Sequence, residues 1–170
     1  MITFEMERIE EAHRHELQSF FKAHWGDEEM VYSHGSYICH ELDGFVALSD
    51  ESIVGAVTFQ DDQNTKEREI ISLNSLIERQ GIGNRFMEMV ESDAHANRIK
   101  TVWLVMTNDN VHALSFYQKR GYQLINIRRH AVNEARQIKP DIPLRADNGI
   151  YIQDEWVLRK EMQGEQAEAR

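Results

Sequence analysis

The fold is decided by one stretch near the middle of the chain, Glu69-Ile70-Ile71-Ser72-Leu73-Asn74-Ser75-Leu76-Ile77-Glu78-Arg79-Gln80-Gly81-Ile82-Gly83. Its first part, Glu69 to Leu76, predicts a long strand. The residues after it predict a helix, because apolar side chains recur there at helical spacing, at Ile82, Phe86, Met89, Val90 and Ala94. A loop that leaves a strand and opens a helix is an anion site, since the first helix amides lack internal partners and the helix dipole is positive there.

The composition of this loop restricts which phosphate groups it could hold. Gly81 and Gly83 let the backbone come close to a phosphate, and Arg79 and Arg85 bracket the loop with positive charge. A dinucleotide fingerprint requires a third glycine where Phe86 stands, and the Gly-Lys-Ser/Thr of a nucleotide-binding P-loop is absent. A Gly-x-Gly pair alone is also common at ordinary strand-to-helix turns.

Outward from the loop, strands and helices alternate. Upstream we predict a strand, a helix, and two strands joined by a tight turn at Asp50-Glu51, whereas residues 27–43 are left as loop or short helix; the predicted ranges are Ile2 to Met6, Glu10 to Trp25, Phe45 to Ser49 and Ile53 to Gln60. Downstream we predict a buried strand, a helix and two further strands; the ranges are Thr101 to Met106, Asn110 to Arg120, Tyr122 to Ile127 and Gly149 to Leu158. This order predicts an α/β (α+β) fold with a mostly antiparallel central sheet and helices on its faces, in a single domain of residues 1–162 with a polar tail at 163–170.

Composition excludes several classes of protein. The formal net charge of -10 disfavours a nucleic-acid binder, which needs basic residues to neutralise phosphates. No apolar run is long enough to span a bilayer, so we predict no membrane insertion. The acidic start of the chain does not resemble a signal peptide, and Cys39 is alone. We therefore expect a cytoplasmic protein.

A second segment gives the loop its meaning. It is Asn110-Val111-His112-Ala113-Leu114-Ser115-Phe116-Tyr117-Gln118-Lys119-Arg120-Gly121-Tyr122. Together the loop and this segment resemble the two motifs of the GNAT superfamily of N-acetyltransferases, Gln/Arg-x-x-Gly-x-Gly/Ala and Asn-x-x-Ala-x-x-Phe-Tyr-x-x-x-Gly-Phe. The likeness covers residues 40–160 by the order of elements and is specific from Glu69 to Tyr122. The stretches 103–110, 131–143 and 149–155 also resemble a branch of bacterial members of this superfamily.

The resemblance implies acetyl-coenzyme A as co-substrate. In the family the pantetheine arm lies beside the strand that precedes the loop, and the pyrophosphate lies on the loop and the start of the following helix. The corresponding cofactor-binding residues here are Leu73, Asn74, Ser75, Leu76, Arg79, Gln80, Gly81, Ile82, Gly83, Asn84 and Arg85, followed by Asn110, Ala113 and Phe116. Glu78 departs from the family, which usually has Gln or Arg at this position.

The resemblance also implies catalytic residues. Tyr117 is the predicted general acid that protonates the leaving thiolate, although a tyrosine on a helix is by itself more often a packing residue. Glu69 resembles the catalytic glutamate of the histone-modifying branch, and it is equally consistent with a solvated carboxylate at the end of a strand. Asn110 is either a helix N-cap, a cofactor contact, or both. Candidate substrate contacts are Asn108, Asp109 and Glu155.

These observations predict an N-acetyltransferase that moves an acetyl group to a primary amine of a small molecule by direct attack. The alternative is a non-catalytic module of GNAT type that binds acyl-coenzyme A as a sensor or interaction partner, which the departure at Glu78 keeps open. No metal is expected, because His13 and His15 point away from each other on a helix and nothing completes a ligand set. We also allow for a homodimer.

Overall fold

The computed structural model describes residues 2–27 and 29–163. It contains nine strands: β1 (Glu5–Arg8), β2 (Glu29–Tyr32), β3 (Gly35–Ile38), β4 (Asp43–Ser49), β5 (Ser52–Asp62), β6 (Glu67–Ser75), β7 (Thr101–Thr107), β8 (Gln123–Arg128) and β9 (Glu155–Glu161). The α-helices are α1 (Arg14–Trp25), α2 (Ile82–Ala96), α3 (Val111–Lys119) and α4 (Ala131–Ile138), and 3₁₀ turns cover Glu11–His13 and Cys39–Glu41. The predicted fold class is confirmed as a mixed α/β fold whose sheet is mainly antiparallel.

The chain forms two compact units. The first comprises the described residues of 1–30, 38–102 and 162–170, and the second comprises 31–37 and 103–161. Each unit has its own strands and its own part of the predicted site, and each is described separately below.

In the first unit four strands follow one another in the order β1, β4, β5, β6, and each neighbouring pair is antiparallel. The β4–β5 turn is the predicted one, with Asp50 and Glu51 both at positive φ, 49° and 65°. The core packed against the faces of these strands is apolar and close to fully buried; it includes Leu17, Phe21, Val46, Val57, Phe86 and Val90. Burial of such side chains is the main favourable term in folding.

Helix α2 packs very closely against β5, and a glycine permits this. A Cβ added at Gly55 would lie 3.2 Å from the Phe86 ring and 3.4 Å from a methyl carbon of Ile82. Only the absence of a side chain lets the first turns of α2 come so near to the strand. The N-terminus of α2 is therefore held at a fixed place relative to the end of β6, which leads into it.

A charged network fixes the other end of α2. The Arg68 side chain is buried, donates to both oxygens of Asp61 and to Asp93, and lies 3.7 Å from the centre of the Phe59 ring. Arg8 adds hydrogen bonds to Asp93 and Asp43. Burial raises the pKa of Asp93, but the hydrogen bonds from Arg68 and Arg8 outweigh it and hold the pKa below its usual value. A buried guanidinium paired in this way is costly to leave without its partners.

In the second unit the strands follow the order β7, β9, β8, and β8 pairs antiparallel with β9. The turn between β2 and β3 is tied to β9, because Glu155 accepts hydrogen bonds from the backbone and the hydroxyl of Ser33, at 2.7 and 2.5 Å. The segment after α4 is held from inside by Arg136, which donates to the carbonyls of Ile142, Pro143 and Ile152.

Several predicted elements differ from the structure. The first strand begins at Glu5 rather than Ile2, because pairing with β4 starts at Glu5 opposite Leu48. The segment 27–43 is a β-hairpin and a 3₁₀ turn rather than a loop or short helix; Glu28 lies outside the described residues, as does the tail from residue 164 onward. Helix α4 was not predicted.

The start of the last strand was also wrong: it begins at Glu155, not Gly149. The backbone before it bonds elsewhere, since Ile152 donates to the Leu144 carbonyl and the amides of Gln153 and Asp154 donate to the side chain of Asn108. Among the described helices, none has the length and apolar character needed to cross a membrane.

Candidate active site

The end of β6 presents the residues that were predicted to lie along the pantetheine arm. Leu73, Asn74 and Ser75 face Val57, Ala56 and Gly55 on β5. Leu76 makes one more backbone bond, from its amide to the Val54 carbonyl at 2.8 Å, and its side chain is 57% exposed. The chain then leaves β5 in a tight turn, in which the Ser75 hydroxyl donates to the Ile77 carbonyl and accepts from the Ile77 amide.

The loop after β6 opens onto solvent. Glu78, Arg79 and Gly81 are exposed, and Gln80 is half-buried. Arg79 and Gly81 both adopt left-handed backbone conformations, with φ of 59° and 74°. Such conformations are easy for glycine and strained for arginine, so the loop holds a specific shape. The Glu78 carboxylate, where the family usually has Gln or Arg, belongs to this exposed surface.

The N-terminus of α2 is left open by the sequence. Its N-cap is Gly81, which has no side chain that could occupy the first amides, and its first turn contains no acidic residue. The first helical bond runs from the Arg85 amide to the Gly81 carbonyl, at 3.0 Å. The amides of Ile82, Gly83 and Asn84 therefore precede the internal bonding of the helix, in the arrangement that binds phosphate. The Arg85 guanidinium lies 5.1 Å from the centre of the Phe4 ring at the edge of this surface.

The β5–β6 register assigns a face to each residue of β6. Gly55 on β5 contacts α2, so the alternate residues Ala56, Thr58 and Gln60 point to the opposite face. Their partners on β6 are Asn74, Ser72 and Glu69. The hydroxyls of Thr58 and Ser72, 2.5 Å apart, confirm that these two side chains share a face.

A bulge is what brings Glu69 into this row. Thr58 lies opposite Ser72, but the next residue, Phe59, lies opposite Ile70, so β6 has one extra residue at Ile71. The extra residue shifts the alternation by one position. Glu69, Ser72 and Asn74 therefore share the face of β6 that points away from α2.

Two of these three side chains, Glu69 and Asn74, differ in whether their polar atoms have partners. Glu69 is buried, with 7% of its surface exposed, and has partners within the chain. Asn74 is half-buried, and its Oδ1 atom is buried without a hydrogen-bond donor among the residues that the structure describes. An unpaired buried oxygen costs about 1–3 kcal/mol.

The second unit contains the other predicted residues, on and before α3. Asn110 is the N-cap of α3, and its Oδ1 accepts from the Ala113 amide at 3.1 Å. Ala113 and Phe116 are half-buried on the same helix. The predicted capping role of Asn110 is thus confirmed.

Tyr117 is the buried residue of α3. It is 6% exposed, and its ring contacts the rings of Phe116 and Tyr122 edge-on, at 5.1 and 5.6 Å between centroids. Burial raises the pKa of the Tyr117 phenol far above its ordinary value, because the phenolate would lose its hydration. Tyr117 therefore keeps its proton over the whole physiological range.

The three predicted substrate contacts have different surroundings. The Asn108 side chain accepts from the amides of Gln153 and Asp154 and donates to the Tyr151 carbonyl. Glu155 is 1% exposed and holds Ser33, with Arg128 at 3.8 Å. The Oδ1 atom of Asp109 is buried, and no donor reaches it from the described part of the chain.

The structure thus brings the predicted residues together in two groups. Glu69 and residues 73–85 lie in the first unit, and residues 108–117 and Glu155 lie in the second.

Sequence reasoning missed a cluster of rings in the second unit. His34 lies 5.5 Å from Tyr32, 5.9 Å from Tyr37 and 5.6 Å from Trp103, measured between centroids. The only signal for it was the density of aromatic residues in the unassigned segment 27–43. Over residues 2–27 and 29–163, no group of three or more His, Cys, Asp or Glu side chains is placed to hold a metal ion.

Comparison with known proteins identifies the family of this chain. Residues 9–122 match the model of the Acetyltransferase (GNAT) family. The chain belongs to this family. Among relatives, it is 49% identical over 148 residues to "Uncharacterized protein YxbD" of Bacillus subtilis, which covers 86% of this chain and 92% of the relative.

Solved structures agree on the GNAT fold. An IAA acetyltransferase from Bacillus cereus superposes with a TM-score of 0.68 at 20% identity, covering 94% of this chain and 99% of that one. A GNAT acetyltransferase from Elizabethkingia anophelis with acetyl-CoA bound gives a TM-score of 0.65 at 17% identity, covering 93% and 97%. Membership of this acetyltransferase family makes acetyl-CoA the co-substrate. GNAT acetyltransferases transfer the acetyl group to amines of small molecules or peptides.

Proposed function

We propose that this protein acetylates a primary amine of a small molecule by direct attack, with Tyr117 as general acid. The observation that carries the proposal is the buried, protonated phenol of Tyr117 on a helix that Asn110 caps. The glycine-capped start of α2 supports it from the cofactor side, because a helix end without its own cap is ready for a pyrophosphate.

Acetyl-CoA supplies the acetyl thioester, so a C–N bond forms to the amine and the C–S bond breaks. Tyr117 gives its phenolic proton to the departing sulfur and regains one from solvent. Glu69, or a water molecule in its place, takes the proton that the amine nitrogen loses. Backbone groups of Leu73 to Leu76 hold the pantetheine arm, with Arg79, Gln80, Gly81, Ile82, Gly83, Asn84 and Arg85 around the pyrophosphate and Ala113 and Phe116 beside the arm.

A thiol-release assay against a panel of amines, polyamines, aminoglycosides and amino acids tests the proposal. Wild-type protein is expected to release thiol with at least one acceptor, and Tyr117→Phe is expected to lower kcat about 100-fold while the Kd for acetyl-CoA holds. Phenylalanine keeps the ring contacts with Phe116 and Tyr122, so Tm reports whether the fold is intact. Unchanged turnover in Tyr117→Phe would assign protonation to another group.

The raised pKa of Tyr117 makes a further prediction about pH. An acid whose pKa is raised keeps its proton to higher pH, so kcat should not fall between pH 8 and pH 10 through loss of this proton. A pH profile of kcat with acetyl-CoA at saturation measures this. An alkaline limb centred near pH 9 would contradict a buried phenol as the acid.

The exposed Glu78 favours a second candidate, a non-catalytic sensor that binds acyl-CoA, because a carboxylate adds negative charge where pyrophosphate binds. The sensor predicts cofactor binding by calorimetry and no thiol release with any amine. Turnover with one amine excludes it. Failure of calorimetry to detect binding of acetyl-CoA would contradict both candidates.

The proposal also includes a cytoplasmic location and a homodimer. In the second unit the strand order places β8 at one end, with Ile125 and Ile127 exposed on it. Cell fractionation and light scattering after size-exclusion chromatography measure location and mass.

A further inference from the structure

The turn between β7 and α3 contains three polar residues in a row, Asn108, Asp109 and Asn110, and the side chains of Asn108 and Asn110 bond to their own chain. The Asn108 amide clamps the segment 151–154, and the Asn110 carbonyl oxygen caps α3. Removing either amide breaks a defined local structure. The Asp109 carboxylate between them holds no comparable local structure among the described residues.

The Asp109 side chain has a buried oxygen, Oδ1, without a hydrogen-bond donor from the residues that the structure describes. Its backbone is held on both sides, since the Asp109 carbonyl accepts from the Val111 amide at 3.0 Å and from Asn148 Nδ2 at 2.9 Å. These bonds fix the backbone of the turn that carries the carboxylate. A carboxylate oxygen left in this way lowers stability, because it has lost water and gained no donor.

In the described part of the chain, no basic side chain is hydrogen-bonded to Asp109 Oδ1. Arg145 is the basic residue of the segment that Asn148 ties to the turn, and its guanidinium stacks 4.6 Å from the centre of the Tyr151 ring. A cationic group of a ligand at the carboxylate would supply the partner that the described residues do not.

We propose that Asp109 binds a positively charged group of the acceptor, separate from the nitrogen that is acetylated. This inference rests on the proposed amine acetyltransferase function. The attacking nitrogen must be neutral to offer its lone pair, whereas the partner of a carboxylate is a cation, so the two are different groups of one molecule. The acceptor class is therefore a diamine or a longer polyamine. Exposed Leu144 and Tyr151, 63% and 55%, lie on the same tied segment and offer apolar surface for a carbon chain.

Two acceptors of equal length separate charge from size: 1,5-diaminopentane and pentylamine. KM is measured for each by thiol release, and calorimetry measures binding of each to the protein with coenzyme A. Wild type is expected to have a KM for the diamine at least about tenfold below that for pentylamine, equivalent to about 1.4 kcal/mol. Asp109→Asn keeps the shape, removes the charge, and is expected to raise the diamine KM about tenfold while leaving the pentylamine KM unchanged.

The matched control is Asp147→Asn, an exposed aspartate of the same segment, which should change neither KM. A third variant, Asp109→Leu, tests the cost of the unpaired oxygen and is expected to keep or raise Tm. A fall in Tm by several degrees in Asp109→Leu, with equal loss on both amines, would overturn the inference in favour of a structural role.

Equal KM values for the two amines in wild type, or the same selectivity in Asp109→Asn, would also overturn it. If wild type turns over neither amine, calorimetry decides: binding of the diamine that Asp109→Asn abolishes supports the inference, and no binding overturns it. Failure to bind acetyl-CoA at all is a different result, and it would contradict the proposed function.

Discussion

Helices α2 and α3 both begin directly after a strand and a short turn, yet their first turns are built in opposite ways. At α2 the N-cap is Gly81, at φ 74°, which makes no side-chain capping bond. At α3 the N-cap is Asn110, whose own oxygen takes the Ala113 amide. The N-cap side chain thus satisfies an amide of the first turn in α3, whereas the N-cap of α2 has no side chain to do so.

The two helix starts therefore differ in what they contribute: one adds to the stability of its helix, and the other is suited to binding an anion. A helix end capped by its own side chain is stable without a ligand. An end capped by glycine loses that contribution and keeps a positive site free for phosphate. This difference is why we propose the start of α2 for the pyrophosphate of acetyl-CoA and α3 as the support for Tyr117.

The largest effect is expected from Gly81→Val, which attacks the open end directly. The residue is left-handed, so valine strains the backbone. The change also places a branched side chain next to the first amides of α2, and apart from chain neighbours no described residue lies within 4 Å of the new Cβ. Calorimetry should show that the Kd for acetyl-CoA rises at least about tenfold, about 1.4 kcal/mol.

Gly26→Val is a close match as control, because Gly26 ends α1 at φ 75° and also has open space around it. It should lower Tm to a similar degree and leave the Kd for acetyl-CoA unchanged. Equal loss of affinity in both variants would mean that strain, and not blocked amides, weakens binding.

The sequence predicted the elements around α2 well because the local signals there agree with the fold. The apolar face of α2, the turn at Asp50-Glu51 and the run of β7 all depend on residues near one another in the chain. Helix α4 was missed because only Ala131, Val132 and Ala135 mark its buried side, which is too short for a clear periodicity. The hairpin β2–β3 was missed because its strands, too, are too short for a clear periodicity.

The sequence can propose a role where a residue type alone defines the chemistry, as for Gly81 and Tyr117, and both roles stay predictions. A role was not predictable where a distant partner decides. Glu155 was predicted to contact substrate, and both its oxygens hold Ser33, 122 positions away in the sequence. Asp109 and Asn74 each have a buried oxygen that no donor reaches among the described residues, and the sequence gives no sign of a missing partner. Their roles stay predictions for the variants above.

The next largest effect is expected at the start of α3, which Asn110 caps. Asn110→Ala removes the bond to Ala113 and should cost about 1 kcal/mol of stability, which lowers Tm by about 2–4 °C. If Asn110 also contacts the cofactor, the Kd for acetyl-CoA rises as well, by about fivefold. Asn110→Asp separates the roles, because aspartate caps a helix equally well but repels phosphate. We expect it to restore Tm and not affinity; recovery of both would assign Asn110 to capping alone.

The smallest effect is expected at Glu78, in the loop before α2, where the family usually has Gln or Arg. Glu78→Gln removes one exposed negative charge from the loop beside the first amides of α2. At the distances and screening of a surface this is worth about 0.6 kcal/mol, so the Kd for acetyl-CoA should fall about threefold at low salt and less at high salt. Glu88→Gln, exposed further along the same helix, is the control and should have little effect. If Glu78→Gln changes nothing at low salt, the carboxylate points away from the pyrophosphate, and the backbone amides of α2 hold the anion without help or hindrance from this position.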